Sequence, residues 1–206
     1  MGENLGRQTE FSDLAWLFTC NNLNRGILRQ NFDEAALLWR AVRSSEGAIL
    51  EIGRRHGGST ALLLEAAGDR PVTSIDLAPE HNPGCEVMFQ RIIASHPDRL
   101  NLIIGNSRVP MGEGTCWGLM FIDGDHTYEG VKADIVAHWA ELSKGSPAVF
   151  HDAVPNDGLS YEGKLNHHEG VRRVCDELIA HGCAVSVASA GSSLWLEKRA
   201  ELPEGY

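Results

Sequence analysis

Two polar clusters contain the side chains of this chain that are most able to do chemistry. Asp123, Asp125 and His126 directly follow one short apolar run, and His151 and Asp152 directly follow another. Apolar runs of this length predict buried strands, so each cluster should stand at a strand end. A helical pattern links the two runs, and a right-handed crossover between parallel neighbours would place the two strand ends about 5 Å apart. We therefore expect Asp123 and Asp152 to face the same crevice.

Two carboxylates at that distance either raise each other's pKa or share a cation. Mg²⁺ binds carboxylate oxygens at about 2.1 Å and keeps several waters for a substrate, so the placement of Asp123 and Asp152 indicates a divalent-metal site. The same spacing allows a simpler interpretation, in which one aspartate caps the following helix and the other turns a loop. The residues alone leave both interpretations open.

A glycine-rich turn within residues 49–60 (ILEIGRRHGGST) joins an apolar run to a helical pattern. Such a strand–turn–helix presents backbone N–H groups at the place where parallel sheets hold ligands. A dinucleotide-binding turn would need a glycine where Arg55 stands, because that glycine lets the backbone approach a pyrophosphate. The turn therefore suits a nucleoside without a pyrophosphate better than NAD, unless it is only a plain strand-to-helix connection.

Two further predicted strands end in polar residues. Asp76 ends the strand over residues 72–77, about 20 residues beyond the glycine turn, where a carboxylate can hold a ribose diol. A helix cap or a turn is the alternative role for this aspartate. Asn106 and Ser107 follow the strand over residues 100–104, and they could either hydrogen-bond an adenine edge or form a turn.

Composition excludes several classes of partner. The 206 residues carry a net charge of −10 and no basic cluster, which argues against nucleic-acid binding. No signal peptide is visible, and no apolar segment is long enough for a bilayer. Five scattered cysteines without a C-x-x-C pair indicate buried, reduced thiols in a cytoplasmic protein. We therefore expect small-molecule partners, and the sequence leaves open whether the chain forms a homo-oligomer.

A series of motifs extends this pattern over most of the chain: LEIGRRHGGST, SIDL, GNS, FIDGDHTYEGVKADI, FHDAV and EGVRRVCDEL. In this order they resemble the class I S-adenosylmethionine-dependent methyltransferases. The resemblance is closest to the group that contains macrocin-type O-methyltransferases and cephalosporin hydroxylase-like proteins, and it runs from about Leu37 to Lys198. The FIDGDHTYEG block and the glycine turn are the specific motifs, whereas SIDL and GNS occur widely.

The resemblance implies a binding site for S-adenosylmethionine at the strand ends. Asp76 would hold the ribose hydroxyls, and Asn106 with Ser107 would lie on the adenine side. The other implied cofactor positions lie on the first strand, in its turn and after the fourth strand: Glu51, Gly53, His56, Gly57, Gly58, Ser59 and Asp123.

The resemblance also implies a metal held by Asp123 and Asp152. In the metal-dependent O-methyltransferases the third ligand is an acid or amide beside the second aspartate, whereas this chain has His151 there. Mg²⁺ is the first expectation, although imidazole suits Mn²⁺, Fe²⁺ or Zn²⁺ better. His126 stands where a base beside the metal would lie, and a loop histidine bonded to backbone is the alternative.

Patterns and resemblance together predict an α/β fold. It would be a Rossmann-like, doubly wound, seven-stranded and mostly parallel sheet with a C-terminal antiparallel hairpin. Residues 1–206 would form one domain, with a helical cap over 1–45 and a core over 46–199. Asp33 would be the N-cap residue of the second helix in residues 1–45. A polar loop over residues 154–169 would follow the fifth strand, with His167 and His168 on the surface.

The implied function is metal-assisted transfer of a methyl group from S-adenosylmethionine to an oxygen of a small molecule, such as a sugar or a phenolic natural product. Two alternatives differ in class. The first is a metal-dependent hydroxylase of the cephalosporin hydroxylase-like type, for which His151 is the argument. The second is a non-catalytic protein that binds S-adenosylmethionine.

Overall fold

The computed structural model describes residues 10–18, 27–77, 83–112, 114–155 and 168–206. Its strands are β1 (Ala48–Ile52), β2 (Val72–Asp76), β3 (Leu100–Ile104), β4 (Trp117–Ile122), β5 (Pro147–Phe150), β6 (Ala184–Ala190) and β7 (Ser193–Lys198). Its α-helices are α1 (Phe32–Arg43), α2 (Gly58–Ala67), α3 (Pro83–Ser95), α4 (Tyr128–His138) and α5 (Glu169–Ala180). Short 3-10 helices span Phe11–Phe18 and Trp139–Glu141.

The strands form one seven-stranded sheet in the order β3-β2-β1-β4-β5-β7-β6. Neighbours are parallel from β3 to β5, whereas β7 runs antiparallel to both β5 and β6. The prediction of a mostly parallel sheet with an antiparallel C-terminal hairpin is therefore confirmed. The chain builds outwards from β1 to β3 and then returns to place β4 on the other side of β1. Sheets of this kind bind ligands at such a reversal, beyond the carboxyl ends of the strands.

Helices cover both faces of the sheet. α1, α2 and α3 pack with the N-terminal 3-10 helix on one face, and α4 and α5 pack on the other. β4 lies between the two layers with every residue buried, which explains why it is a continuous apolar run without alternation. Within the described residues, no helix combines the length and the apolar character needed to cross a membrane.

The cap of α1 differs from the prediction. Asn31 is the N-cap: its side chain accepts the backbone N–H of Glu34, and the Glu34 carboxylate accepts the backbone N–H of Asn31. The prediction of Asp33 as the cap is wrong, because this reciprocal pair satisfies two N–H groups at once. α1 contacts α2 and the strands β5, β6 and β7, so its first turn lies close to the carboxyl end of β5.

The helical pattern between the two apolar runs forms two successive helices. The α-helix ends at His138 and continues as a 3-10 turn. The buried Lys198 ammonium donates to the backbone carbonyls of Trp139 and Leu142, and it thereby satisfies carbonyl groups that a helix end leaves without partners.

The cysteines follow the sequence-based expectation only in part. Cys175 and Cys183 are free and buried, as predicted, whereas Cys116 is free and exposed. Burial raises the pKa of the Cys175 thiol, so this group stays protonated and unreactive. Cys116 directly precedes β4, and its Sγ lies 2.9 Å from the Ser143 hydroxyl.

Candidate functional site

Two adjoining cavities lie beyond the carboxyl ends of the central strands. The larger, of about 420 Å³, lies between the ends of β1, β2 and β4 and the loop after β3. The smaller, of about 140 Å³, lies between the turn after β1, the segment before α1 and the ends of β4 and β5. Gly53, Arg55, Asp123 and His126 line both cavities. A single elongated ligand could therefore occupy the two together.

Glycines shape the turn between β1 and α2. Gly53 and Gly57 have φ values of 88° and 83°, which favour glycine. A Cβ at Gly53 would overlap the Asp123 carbonyl, and one at Gly58 would overlap the backbone of the segment before α1. No side chain caps the first turn of α2. The N-terminus of this helix therefore adjoins the smaller cavity, which Gly58 and Ser59 line.

The Gly53 position gives a test of the turn. We expect Gly53→Ala to lower the free energy of unfolding by about 3 kcal/mol, because the new Cβ combines a positive φ with an overlap against backbone. Gly182→Ala is the matched control: its φ is 70° but an added Cβ would meet nothing within 4 Å, so the loss should be about 1 kcal/mol. Urea denaturation measures both variants, and equal losses would contradict the close approach of the turn to β4.

Glu51, near the end of β1, is entirely buried. Its carboxylate accepts hydrogen bonds from the hydroxyls of Ser59, Thr60 and Ser74. Burial raises the pKa of the Glu51 carboxyl, and these hydroxyls act in the opposite direction. Glu51 does not line either cavity. Its side chain therefore holds β1, β2 and α2 together beneath the turn, in place of the predicted contact with a cofactor.

Asp76 ends β2 and lines the larger cavity. Its Oδ2 accepts the backbone N–H groups of Arg54 and Arg55, each at 2.8 Å. Asp76 therefore fixes the turn after β1 and lines the cavity at the same time. Arg55 has a φ of 48°, and this exposed residue lines both cavities.

Asn106 and Ser107 also line the larger cavity. The Asn106 side chain accepts the backbone N–H of Arg108, which is the turn that the sequence allowed as an alternative. The Ser107 hydroxyl donates to Asp134 at 2.7 Å, and the Ser107 carbonyl lies 2.6 Å from Nε2 of His138. Two buried groups of α4 thus fasten this loop to the rim of the cavity.

Four side chains from the ends of β4 and β5 converge on the smaller cavity. Nδ1 of His151 lies 3.2 Å from Oδ1 of Asp123 and 3.4 Å from Oδ2 of Asp152. Nε2 of His126 lies 3.5 Å from each of the same two oxygens. One ligand atom from each of Asp123, His151 and Asp152 lies within 4.8 Å of the others. The structure thus brings together all three residues that were predicted to bind a metal, with the predicted base beside them.

Three buried polar atoms at this point have no hydrogen bond: Oε1 of Gln30, Nε2 of His126 and Nδ1 of His151. Gln30 is 4% exposed, and its amide nitrogen donates to Oδ2 of Asp123 at 2.9 Å. The carboxylate acceptor fixes the orientation of the amide, because an amide oxygen in that place would face another acceptor. Buried polar atoms without partners are costly, so their concentration in one cavity indicates a site that binds something polar.

The charges of the cluster depend on one another. Burial alone would raise the pKa of the Asp123 carboxyl, but His151 and His126 hold it below its usual range. Burial alone would lower the pKa of the His151 ring, but Asp123, Asp152 and Glu34 raise it well above the usual value. The adjacent Asp123 also raises the pKa of His126. The two carboxylates therefore draw positive charge into the space between them.

His168 is exposed, as predicted, yet its ring reaches the cluster. The ring stacks on His126 with 4.4 Å between centroids, and Nε2 lies 4.0 Å from Oδ2 of Asp152. His168 precedes α5 in an extended conformation, and its backbone N–H donates to the Asp152 carbonyl, which turns the side chain toward the crevice. His167 and most of the predicted polar loop lie outside the described residues.

Sequence reasoning missed three polar residues behind the cluster: Gln30, Glu34 and Ser192. They lie 93, 117 and 40 residues from their respective partners Asp123, His151 and Asp152. No local motif could link residues at such separations. The one available signal was the spacing of Asn31 and Glu34, which is that of a reciprocal helix cap and could have marked Glu34 as a fixed side chain.

Comparison with known proteins assigns the strand ends that form the two cavities to a known family. A family model described as a methyltransferase domain matches residues 50–153, which run from within β1 to just beyond β5. Most of the residues that line the two cavities fall in this range. A search of curated protein sequences finds no match.

Solved structures with the same fold include several that hold a cofactor. Cofactor-bound Rv0187 from MTB is 20% identical, with a TM-score of 0.63 and coverage of 84% of this chain and 83% of that chain. The O-methyltransferase TomG from Streptomyces achromogenes, in complex with SAM, is 16% identical, with a TM-score of 0.62 and coverage of 96% and 94%. SAH-bound PaMTH1 from Podospora anserina is 15% identical, with a TM-score of 0.59 and coverage of 84% and 81%.

Proposed function

Because the chain belongs to the methyltransferase domain family and has the fold of class I S-adenosylmethionine-dependent methyltransferases, we propose that it methylates an oxygen atom of a small molecule with the help of a divalent metal. The observation that carries the proposal is the cluster of Asp123, His126, His151 and Asp152 at the junction of two cavities. The larger cavity has polar residues that could hold the nucleoside of the cofactor, and the smaller cavity is lined by the cluster.

The larger cavity is the place for the nucleoside. A carboxylate can accept several hydrogen bonds, so Asp76 can receive the ribose hydroxyls while it fixes the turn. Asn106 and Ser107, in the loop after the neighbouring strand β3, line the same cavity, and the adenine would lie beside them. Leu77 is 67% exposed on the same cavity and offers apolar contact to the base. Arg55 replaces the glycine that a pyrophosphate would require.

The smaller cavity is the place for the methionine end of the cofactor. Gly58 and Ser59 begin α2 at this cavity, and the N–H groups of a helix N-terminus favour an anion such as the methionine carboxylate. The buried His56 also lines this cavity. Asp123 lines both cavities, so the sulfur-bound methyl group would lie near it, at their junction.

Asp123, His151 and Asp152 are the residues that would hold the metal. They fit a cation because two carboxylates and an imidazole nitrogen without a hydrogen bond face one another across a partly buried space. This mixture of imidazole and carboxylate suits Mn²⁺, Fe²⁺ or Zn²⁺ better than Mg²⁺. When bound, the metal would ligate the acceptor oxygen and lower the pKa of its hydroxyl group.

His126 would accept the proton of the acceptor hydroxyl. Its Nε2 is buried without a hydrogen bond at the junction of the cavities, and the ring is held between His168 on one side and the two carboxylates on the other. The walls of the smaller cavity would align the acceptor oxygen with the methyl carbon and the sulfur. Such alignment supplies a large share of the rate in a displacement of this kind.

A metal-dependent hydroxylase is the second candidate function, and one observation favours it. His126 and His151 together with a carboxylate make the combination of two imidazoles and one acid that many non-haem iron oxygenases use. The two functions give different products. Incubation with S-adenosylmethionine, Mn²⁺ and a panel of phenols and sugars should yield S-adenosylhomocysteine and a methylated acceptor by mass spectrometry. Oxygen consumption that needs Fe²⁺ and a reductant, without methylated product, would select the hydroxylase.

The cofactor assignment predicts a specific loss at Asp76. Removal of a carboxylate that makes charge-assisted hydrogen bonds costs about 2 to 3 kcal/mol of binding, so Asp76→Ala should weaken the affinity for S-adenosylhomocysteine by about 30-fold to 150-fold. Titration calorimetry measures this loss. Asp98→Ala, which removes an exposed carboxylate before β3, should bind normally. NAD should not raise the Tm of the wild-type protein. An unchanged affinity of Asp76→Ala for S-adenosylhomocysteine would contradict the role of Asp76 as the residue that binds the ribose.

A further inference from the structure

Each of the three side chains that would hold the metal has a second polar residue behind it. This second residue contacts the oxygen or nitrogen that points away from the cluster. The remaining oxygen or nitrogen of the side chain, here called the inner atom, points at the other two metal-binding side chains. The pairs are Gln30 Nε2 with Asp123 Oδ2 at 2.9 Å, Glu34 Oε2 with His151 Nε2 at 3.4 Å, and Ser192 Oγ with Asp152 Oδ1 at 3.0 Å. The inner atoms are Asp123 Oδ1, His151 Nδ1 and Asp152 Oδ2, which approach one another.

Glu34 is the most tightly held of these partners. It is 4% exposed, and its Oε1 accepts the backbone N–H of Ser192 at 2.7 Å and lies 2.8 Å from the Ser192 hydroxyl. Its Oε2 accepts the backbone N–H of Asn31 at 2.8 Å. The partner of the His151 ring is thus a fixed carboxylate.

We propose that Glu34 is a positioning residue, which holds His151 with the proton on Nε2 and the lone pair of Nδ1 directed at the space between Asp123 and Asp152. The chemistry is that of an imidazole with two different nitrogens: a carboxylate beside one nitrogen selects the tautomer that donates to it, and the other nitrogen becomes the ligand. This inference rests on the metal of the proposed function. It adds that α1, which precedes the first strand in sequence, contributes Glu34 to the metal site.

The packing of α1 sets the position of Glu34. The residue sits in the first turn of α1, within a reciprocal cap that fixes its side chain. A Cβ on Gly191 would overlap the side chains of Glu34 and Asn31, so the turn between β6 and β7 packs directly against the cap. Glu34 is therefore clamped from two sides, and its position relative to His151 is set by the packing of α1 on the hairpin.

The test is the affinity of the apoprotein for Mn²⁺, measured by titration calorimetry in the absence of substrate. Glu34→Gln keeps the size of the side chain, but its amide must present an NH₂ group either to the N–H of Ser192 or to the N–H of Asn31 and the ring of His151. We expect Glu34→Gln to bind Mn²⁺ about 10-fold to 100-fold more weakly. The visible absorption of bound Co²⁺, which reports the ligand set, should change in the same variant.

Asn31→Ala is the matched control. It removes the side-chain oxygen that caps α1 but keeps the backbone N–H that holds Glu34. This variant should lose thermal stability and keep the wild-type affinity for Mn²⁺. If Asn31→Ala loses as much affinity as Glu34→Gln, the effect comes from the helix cap and the positioning role is overturned.

A measurement on the wild-type protein keeps the inference testable if Glu34→Gln does not fold. With Zn²⁺ bound, ¹⁵N NMR of the histidine rings should show the His151 proton on Nε2; a proton on Nδ1 would overturn the inference. Wild-type binding of Mn²⁺ with an unchanged affinity of Glu34→Gln overturns the role of Glu34 alone. A wild-type protein that binds no divalent cation overturns both the proposed metal and this inference.

Discussion

Replacement of His126 by alanine is expected to slow methyl transfer by about 10²-fold to 10⁴-fold, the usual cost of a lost general base. The expectation follows from the geometry of Nε2, which is buried without a hydrogen bond at the junction of the two cavities. The variant should still bind S-adenosylhomocysteine, because the polar contacts proposed for the cofactor lie at the ends of β1 and β2. Single-turnover kinetics separates the loss in the methyl-transfer step from any change in binding.

His126→Ala also distinguishes a base from a metal ligand. If His126 serves as the base, the variant should bind Mn²⁺ with nearly the wild-type affinity and should transfer methyl groups slowly. A parallel loss of Mn²⁺ affinity would instead make His126 a ligand, since its Nε2 lies 3.5 Å from the same two oxygens that face His151. His181→Ala is the control: this exposed ring packs against Tyr206 near the end of α5, so the variant should turn over normally.

The sequence predicts the site as far as strand topology determines it. Asp123 and Asp152 come after apolar runs of strand length, and Asp76 stands at the end of the predicted strand over residues 72–77. Parallel strands bring their carboxyl ends to one edge of a sheet. The observed registers, with Ile52 opposite Ile122 and Ile122 opposite Phe150, produce this alignment. The convergence of Asp123 and Asp152 on one crevice could therefore be predicted from the hydrophobic pattern and the order of the strands alone.

Contacts that depend on how a helix crosses the sheet could not be predicted in this way. Gln30 and Glu34 reach the cluster because α1 packs over β5 and the final hairpin, which is a matter of tertiary packing between distant segments. Glu51 shows the opposite error. It stands in the motif where a ligand contact is expected, but three hydroxyls enclose its carboxylate below the turn. A motif places a residue near a site without showing which way its side chain points.

Removal of the divalent metal is expected to abolish methyl transfer and to leave the binding of S-adenosylhomocysteine nearly unchanged. The physical reason is that the proposed metal would lower the pKa of the acceptor hydroxyl, whereas the proposed polar contacts of the cofactor lie at the ends of β1 and β2. Dialysis against a chelator, followed by activity and calorimetric measurements, tests both halves of this expectation. Readdition of Mn²⁺ should restore the activity, which controls for irreversible unfolding during the treatment.

Asp152→Ala is expected to reproduce the chelated state without any treatment with a chelator. Asp152 contributes Oδ2 to the cluster, and the remaining Asp123 and His151 would be too few protein ligands for tight binding. Turnover should fall to the level of the chelated wild type, and added chelator should then have no further effect. Asp69→Ala removes an exposed carboxylate after α2 and should retain full, chelator-sensitive activity. Full activity of wild type in excess chelator would refute the metal and leave methyl transfer to alignment and to the His126 base alone.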